Sequence, residues 1–244
     1  MICHSLIIIA LSTALLATSC STKRTSTPRP QPTAFGAAIV ESGGGKQIAQ
    51  AGTALPQPLV VQVNDEQGSA VAGALVEFSA APGVVFDPAY GLTDSSGQVT
   101  TNITLGGTAG RYQLSASTTD KSRKNVALTI EESALGYQQT LGRQLNDRYC
   151  ERCHNPESTV ERVSNFDNLE IKPHAFTEGD TLNKISDADL TAIISHGGPA
   201  LNKSALMPAW GNTISKSDIQ ALISYIRAVS DPRYRNAGPM YSKD

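Results

Sequence analysis

Apolar and polar residues alternate along the first part of the chain. From about residue 36 to residue 132 apolar side chains recur at every second position, as in Leu59, Val61 and Val63. This period of two places the apolar side chains of a strand on one face. Turn signals, such as the Asp-Ser-Ser-Gly run at 94–97, separate the apolar runs. The pattern predicts several short strands that form an antiparallel β-sandwich, with no helix in this region.

The period becomes helical in the following region, residues 133–232. Leu141, Leu145 and Tyr149 are spaced four apart and form one apolar stripe. This stripe predicts a helix that leads into the residues after Tyr149. The second part of the chain is therefore predicted to be an all-α domain.

Capping signals predict two further helices in the same region. Ser186 and Ser215 each precede an apolar helical pattern, and each is followed three residues later by an aspartate. Pro232 is predicted to stop the last helix, because proline cannot continue a helical hydrogen-bond ladder. The remaining residues, 233–244, are predicted to be a loose tail.

The first residues carry the signals of an exported protein. Residues 6–17 form an apolar run that fits a signal peptide and is too short for a stable membrane span. The small residues before Cys20 resemble the bacterial lipoprotein box, which implies a signal peptide over 1–19 and lipidation of Cys20. Simple secretion and an uncleaved anchor are the alternatives. Residues 20–35 would then be a flexible tether rich in Ser, Thr and Pro.

Charge and cysteine content narrow the classes of partner. The formal net charge is −2 and the pI is about 6.1, so the chain offers no basic field for nucleic acid. Of the four cysteines, Cys3 lies in the predicted signal peptide and Cys20 has no disulfide partner. Ser21 stands where an aspartate would favour retention in the inner membrane, and the outer membrane is therefore favoured.

The other two cysteines form a motif with a specific chemistry. Cys150, Cys153 and His154 have the C-x-x-C-H spacing that attaches haem c through two thioether bonds and places the histidine under the iron. A redox or zinc C-x-x-C is the alternative. A redox motif opens a helix after a strand, whereas these thiols close a predicted helix. A zinc site needs two more ligands nearby, and His174 and His196 stand alone.

The strand region resembles a known family. The matching segments are the strand at 58–63, the turn and strand at 68–78, the Asp-containing turn at 93–99 and the segment at 108–112. They are similar to the bacterial immunoglobulin-like domain of invasin and intimin. This resemblance implies a sandwich without catalytic activity.

The helical region resembles the class I cytochromes c. Gly142 lies eight residues before Cys150, at the place where the N-terminal helix of these proteins crosses the closing helix, and 222–227 resembles that closing helix. The order of His196-Gly197-Gly198, Met207-Pro208 and the closing helix resembles small periplasmic cytochromes c related to dihaem and oxidase-associated electron carriers. The resemblance implies one covalent haem c.

Haem iron in such a protein needs a second axial ligand, presented by a loop on the face opposite His154; the segment between the two later helices fits this requirement. Met207 lies in such a loop and is the preferred candidate over His196 and His174, which are alternatives. The resemblance implies that Pro173 lies against the haem edge and that Trp210 packs beside the haem.

These features together predict a periplasmic, membrane-anchored electron carrier. Ligation by His154 and Met207 would fill both axial positions, so one-electron transfer between protein partners is expected and a catalytic haem site is not. The β-sandwich would serve as a spacer or docking module. Two alternatives remain: a binding or adhesion lipoprotein in which the haem is accessory, and a haem sensor or peroxidase-like enzyme in which Met207 dissociates.

Overall fold

The computed structural model describes residues 29–156 and 163–235, which form a two-sheet β-sandwich followed by a set of helices. The strands are β1 Ala38–Gly43, β2 Ile48–Gln50, β3 Leu59–Asn64, β4 Leu75–Ala80, β5 Val85–Asp87, β6 Tyr90–Leu92, β7 Gln98–Thr104, β8 Gly110–Thr119 and β9 Asn125–Leu135. The helices are α1 Tyr137–Leu145, α2 Glu151–His154, α3 Gly179–Leu182, α4 Asp187–His196 and α5 Lys216–Val229. A β-rich first part and a helical second part are thus confirmed.

The two sheets contain four and five strands. The first has the order β1-β3-β7-β5 and the second the order β2-β9-β8-β4-β6. These neighbours pair antiparallel except β2 and β9, which run parallel. The predicted antiparallel sandwich is therefore correct apart from this three-residue edge strand.

Apolar side chains at alternate positions along the strands fill the space between the two sheets. Leu59, Val61 and Val63 of β3 are fully buried, and the residues between them are only partly buried. Leu114 and Ala116 on β8 face the same interior. Other members of this core are Val76, Phe78, Val99, Ile103, Leu105 and Ile130. The predicted inward face of β3 is confirmed.

Serine caps begin the two longer late helices, as predicted. The Ser186 hydroxyl accepts a hydrogen bond from the Asp189 amide at 3.0 Å at the start of α4. The Ser215 hydroxyl accepts one from the Asp218 amide at 3.2 Å at the start of α5. Helix α5 ends at Val229, three residues before Pro232.

Helices α1 and α5 cross at Gly142. A Cβ atom on Gly142 would lie 2.1 Å from the Ala221 carbonyl oxygen and 2.7 Å from the Tyr225 Cβ. Only glycine permits this close approach of the two backbones. The predicted crossing of the closing helix over Gly142 is confirmed, with Tyr225 packed on the glycine helix.

The strand region continues past the predicted boundary at residue 132. Strand β9 runs to Leu135, and Gly136 alone separates it from α1. The predicted signal peptide, Cys20 and most of the tether lie outside the described residues, as does the tail from residue 236 onward. Within 29–156 and 163–235, no helix has the length and apolar character needed to cross a membrane.

Candidate functional site

The C-x-x-C-H motif lies at the end of a continuous helical stretch. Helix α1 passes directly into a π-helical segment, Asn146–Cys150, and then into α2, which ends at His154. Single π-turns within helices are frequent at functional sites. Cys150 is buried, whereas Cys153 and His154 are half-buried, and both thiols are free. The thiols thus close a helix, as the sequence predicts.

His154 is held by the backbone of a distant loop. Its Nδ1 lies 2.7 Å from the carbonyl oxygen of His174. Since a carbonyl only accepts, Nδ1 carries the proton and donates, which leaves the lone pair on Nε2. Burial lowers the pKa of His154, and the hydrogen bond to the His174 carbonyl partly opposes this effect. The neutral imidazole is the form that binds iron.

Apolar side chains from three parts of the helical region gather around Cys150. Tyr149, Phe176, Met207 and Trp210 are partly buried and pack against the core cluster that contains Cys150. The Tyr149 and Trp210 ring centroids lie 5.2 Å apart. Burial, with a smaller contribution from Cys153, raises the pKa of the Cys150 thiol to about 12. The site therefore favours a neutral sulfur at this position, as a thiol or a thioether.

A glycine pair fixes the loop that carries Met207. The Gly198 amide donates to the Met207 carbonyl oxygen at 3.1 Å. A Cβ on Gly198 would lie 2.0 Å from the Ser204 carbonyl oxygen, and Gly197 has a φ of +83°. Both positions therefore require glycine. Farther along the loop the Trp210 amide donates to the Ile194 carbonyl oxygen at 2.9 Å, which joins the loop to α4.

The alternative ligands occupy other positions. The Nδ1 of His174 lies 2.7 Å from a carboxylate oxygen of Glu178, and its carbonyl holds His154. His196 is exposed at the end of α4. Pro173 is half-buried and precedes the residue whose carbonyl contacts His154. These placements leave Met207 as the preferred second ligand, and that assignment stays a prediction.

Two side chains that support the site, Phe176 and Glu178, were not predicted from the sequence. The Phe176 ring lies 4.8 Å from the His154 ring, centroid to centroid. Glu178 holds the loop, because its carboxylate also accepts from the Ala175 amide at 3.3 Å. The spacing of four between His174 and Glu178 was the one available signal for that contact.

The residues present fit a haem c group. Two thiols lie on one helical turn, and the neutral imidazole of His154 follows them. Its Nδ1 donates a hydrogen bond, so its Nε2 remains able to bind a metal. Aromatic and thioether side chains form a partly open apolar wall beside them. Such a donor set would suit a covalently attached haem, with His154 and Met207 as the predicted iron ligands.

Comparisons with known proteins assign both parts of the chain. Residues 47–131 match the family model described as bacterial Ig-like domain (group 1). Residues 138–226 match the model described as cytochrome C oxidase, cbb3-type, subunit III. A search of the curated proteins found no match. The two family matches are adjacent and do not overlap.

Solved structures similar to the chain include domains of intimin and invasin. The D00-D0 domain of intimin is 22% identical with a TM-score of 0.29, and the alignment covers 41% of this chain and 49% of that one. The D0-D1 domain of intimin is 23% identical with a TM-score of 0.28, over 38% and 47%. Invasin, a bacterial integrin-binding protein, is 19% identical with a TM-score of 0.31, over 40% and 19%. The chain thus spans about half the length of the intimin structures, and the domain assignment depends on the family models.

Proposed function

Because the chain contains a bacterial Ig-like domain followed by a cytochrome c domain, we propose that it carries single electrons between protein partners outside the cytoplasm. A cytochrome c domain implies electron transfer by haem. The proposal further assigns a class I fold with one covalent haem c, and a membrane anchor at Cys20. The Ig-like domain links the anchor to the haem domain.

One observation supports the haem site above all others. The hydrogen bond from His154 Nδ1 to the His174 carbonyl fixes the ring and leaves Nε2 as the only nitrogen that can bind iron. Cys150 and Cys153 would hold the group covalently, and Met207 would be the second axial ligand. The haem supplies a reversible one-electron change at its iron.

The surrounding side chains favour electron transfer over catalysis. His154 and Met207 would together hold the iron, and no ligand position would then be left for a substrate. Tyr149, Phe176 and Trp210 place apolar surface beside the site, which would limit the reorganisation that accompanies a change of charge. A thioether is a neutral ligand that raises the reduction potential relative to a second histidine.

The proposed location rests on the sequence before residue 29. The apolar run at 6–17 and Cys20 have the pattern of an exported lipoprotein, and the composition of 20–35 favours a tether. Attachment of haem c outside the cytoplasmic membrane agrees with export. We therefore place the protein in the periplasm, bound by its lipid to a membrane and preferably to the outer membrane.

Absorption spectra of the haem-loaded protein and of Met207→Ala test this proposal. The parent protein should give a sharp low-spin reduced spectrum, a weak far-red sulfur-to-iron band when oxidised, and no response to carbon monoxide. Met207→Ala should keep its covalent haem but lose the far-red band. Its potential should fall by a substantial part of the roughly 0.8 V that axial ligands control.

Leu206→Ala is the matched control, because Leu206 is the neighbouring residue and its side chain is exposed. It should leave the spectrum and the potential unchanged. An unchanged potential in Met207→Ala would contradict the ligand assignment. A high-spin parent protein that binds carbon monoxide rapidly would point to a sensor or an enzyme.

A further inference from the structure

We propose that the Ig-like domain forms one rigid body with the haem domain, and that Arg111 on β8 is a positioning residue for the loop behind His154. The Ig-like domain would thus support the haem site instead of acting only as a spacer. This inference rests on the proposed haem site at His154.

The junction between the domains is short and packed. Leu135, the last residue of β9, is 1% exposed and belongs to the core cluster of the helical region. Ile48 of β2 packs against the same cluster. The Arg143 guanidinium of α1 donates to the Ile48 carbonyl oxygen at 2.7 Å. With Gly136 alone between β9 and α1, the two domains share a boundary that has no free linker.

Arg111 joins the sandwich to the end of the closing helix. One nitrogen of its guanidinium donates to the Ala228 carbonyl oxygen at 2.8 Å and the Ser230 carbonyl oxygen at 2.9 Å. Another donates to the Glu131 carboxylate at 2.9 Å. Its side chain is only 16% exposed. A cation at this position satisfies carbonyl groups that α5 leaves free and interacts favourably with the negative end of the helix dipole.

A second ion pair supports the same contact. Arg233, which follows α5, pairs with the other carboxylate oxygen of Glu131. Glu131 on β9 therefore binds one arginine from each domain. Such a network fixes geometry better than an isolated pair does. Lys46 and Asp231 approach to 3.9 Å but are well exposed, so this pair contributes little.

The segment that Arg111 holds is hydrogen-bonded to the loop of the haem site. The Asp231 amide donates to the Thr177 carbonyl oxygen at 2.8 Å, and the Gly179 amide donates to the Asp231 carbonyl oxygen at 3.0 Å. A Cβ on Gly179 would lie 2.2 Å from the Pro232 carbonyl oxygen. The loop and the residues after α5 therefore pack directly against each other.

The loop then reaches His154 through Glu178. The Glu178 carboxylate contacts the His174 ring at 2.7 Å and the Ala175 amide at 3.3 Å. These contacts orient the His174 carbonyl that accepts from His154. A continuous series of hydrogen bonds thus joins Arg111 to the proposed iron ligand.

Nuclear magnetic resonance relaxation of the reduced, haem-loaded full chain tests the rigid body without any substitution. Backbone amides of both domains should report one common rotational correlation time. Separate and shorter correlation times for the two domains would overturn the proposal. This measurement does not depend on which residues bind the iron. Failure of the proposed function, visible as a high-spin spectrum, is therefore distinguishable from failure of this inference.

Arg111→Gln tests the positioning role, and Arg29→Gln is its matched control. Arg29 also forms a 2.9 Å pair with a glutamate, Glu77, but far along the chain from the haem region. Loss of the Arg111 hydrogen bonds should speed amide exchange at Gly179 and Asp231 by roughly tenfold. The reduction potential should rise, since a weaker bond to the His174 carbonyl makes His154 a poorer donor to ferric iron.

Arg111→Lys keeps the charge but lacks the forked guanidinium. It should show a smaller increase in exchange and a smaller rise in potential, and it guards against a folding defect in the glutamine variant. Exchange rates and potentials that match Arg29→Gln in both Arg111 variants would overturn the positioning role.

Discussion

The two domains of the chain build their interiors in different ways. The sandwich fills its core with its own side chains, and Leu59, Val61 and Val63 are fully buried. The helical region also has a buried core, which includes Leu222 and Ile226, but Met207 and Trp210 beside that core are only partly buried. The sandwich core is therefore covered by its own side chains, whereas the partly buried side chains beside the helical core are where the proposed haem would pack.

The lengths of the secondary-structure elements also differ between the two domains. Strands β8 and β9 pair over ten consecutive residues, from Gly110 with Ala134 to Thr119 with Asn125. Helix α3 has only four residues, and α2 is the four-residue end of a helical stretch that a π-helical segment interrupts. Helices this short are not stable alone in water and depend on tertiary contacts. The haem domain is therefore expected to depend on its cofactor far more than the sandwich does.

The largest expected effect comes from removing both thiols. In Cys150→Ser with Cys153→Ser the covalent attachment should be lost completely, because no thioether can form. The helical signal in circular dichroism should fall, while the strand signal remains. Covalent haem is measured by haem staining of the denatured protein.

The two single variants serve as controls, since each keeps one thiol and should retain haem through one bond. A double variant with the helical signal of the parent would contradict the greater dependence of the haem domain on its cofactor. It would show that the haem domain completes its core without the covalent group.

A smaller effect is expected from a cavity in the sandwich. Leu114→Ala should lower the free energy of unfolding by about 2–5 kcal/mol, the usual cost of removing a buried leucine side chain. The haem spectrum under native conditions should not change, because Leu114 lies in the other core cluster. Urea unfolding measures the loss, with Val85→Ala on the exposed face of β5 as the control. A changed haem spectrum would contradict the separation of the two cores.

The smallest effect concerns one carboxyl inside the sandwich. Glu132 is fully buried, and the Gln47 amide donates to its Oε2, whereas its Oε1 has no partner within the described residues. Burial, with a contribution from Glu41, raises its pKa from 4.5 to about 7. The folded state therefore binds a proton that the unfolded state has released, and the stability from this proton is lost as pH rises from 4.5 to about 7.

Glu132→Gln stays neutral and should remove this dependence. At pH 8 the variant should be more stable than the parent by on the order of 2 kcal/mol, and near pH 4 the two should be nearly equal. Urea unfolding across the pH range measures the difference. Glu66→Gln, in an exposed turn, is the control. An equal stability gain at every pH would show that Glu132 does not titrate in this range.

The sequence pattern was enough to predict those parts of the fold in which the type of side chain determines the local structure. Alternation in β3 predicted its buried face, and the serines at 186 and 215 predicted two helix starts. The parallel edge strand β2 was missed, because three residues carry too little pattern. The π-helical segment Asn146–Cys150 was also missed, since its residues do not differ in type from those of an α-helix.

The candidate site was predictable only in its covalent motif. Cys150, Cys153 and His154 are adjacent in sequence, so their spacing alone indicates the chemistry. The acceptor for His154 is a backbone carbonyl, a group that every residue carries, and only the path of the loop selects His174. Arg111 likewise acts on backbone carbonyls of another domain, and its sequence context gives no sign of this role.

The single residue between β9 and α1 limits how these domains can be exchanged by recombination. The family matches end at residue 131 and resume at residue 138, so a break between them falls inside a shared structure. A haem domain transplanted from residue 138 onward would leave Leu135 behind, together with its apolar contacts, at a cost of about 2 kcal/mol. A haem domain that is moved to another protein would therefore have to include the end of β9. A substitute Ig-like domain would otherwise have to supply a matching strand.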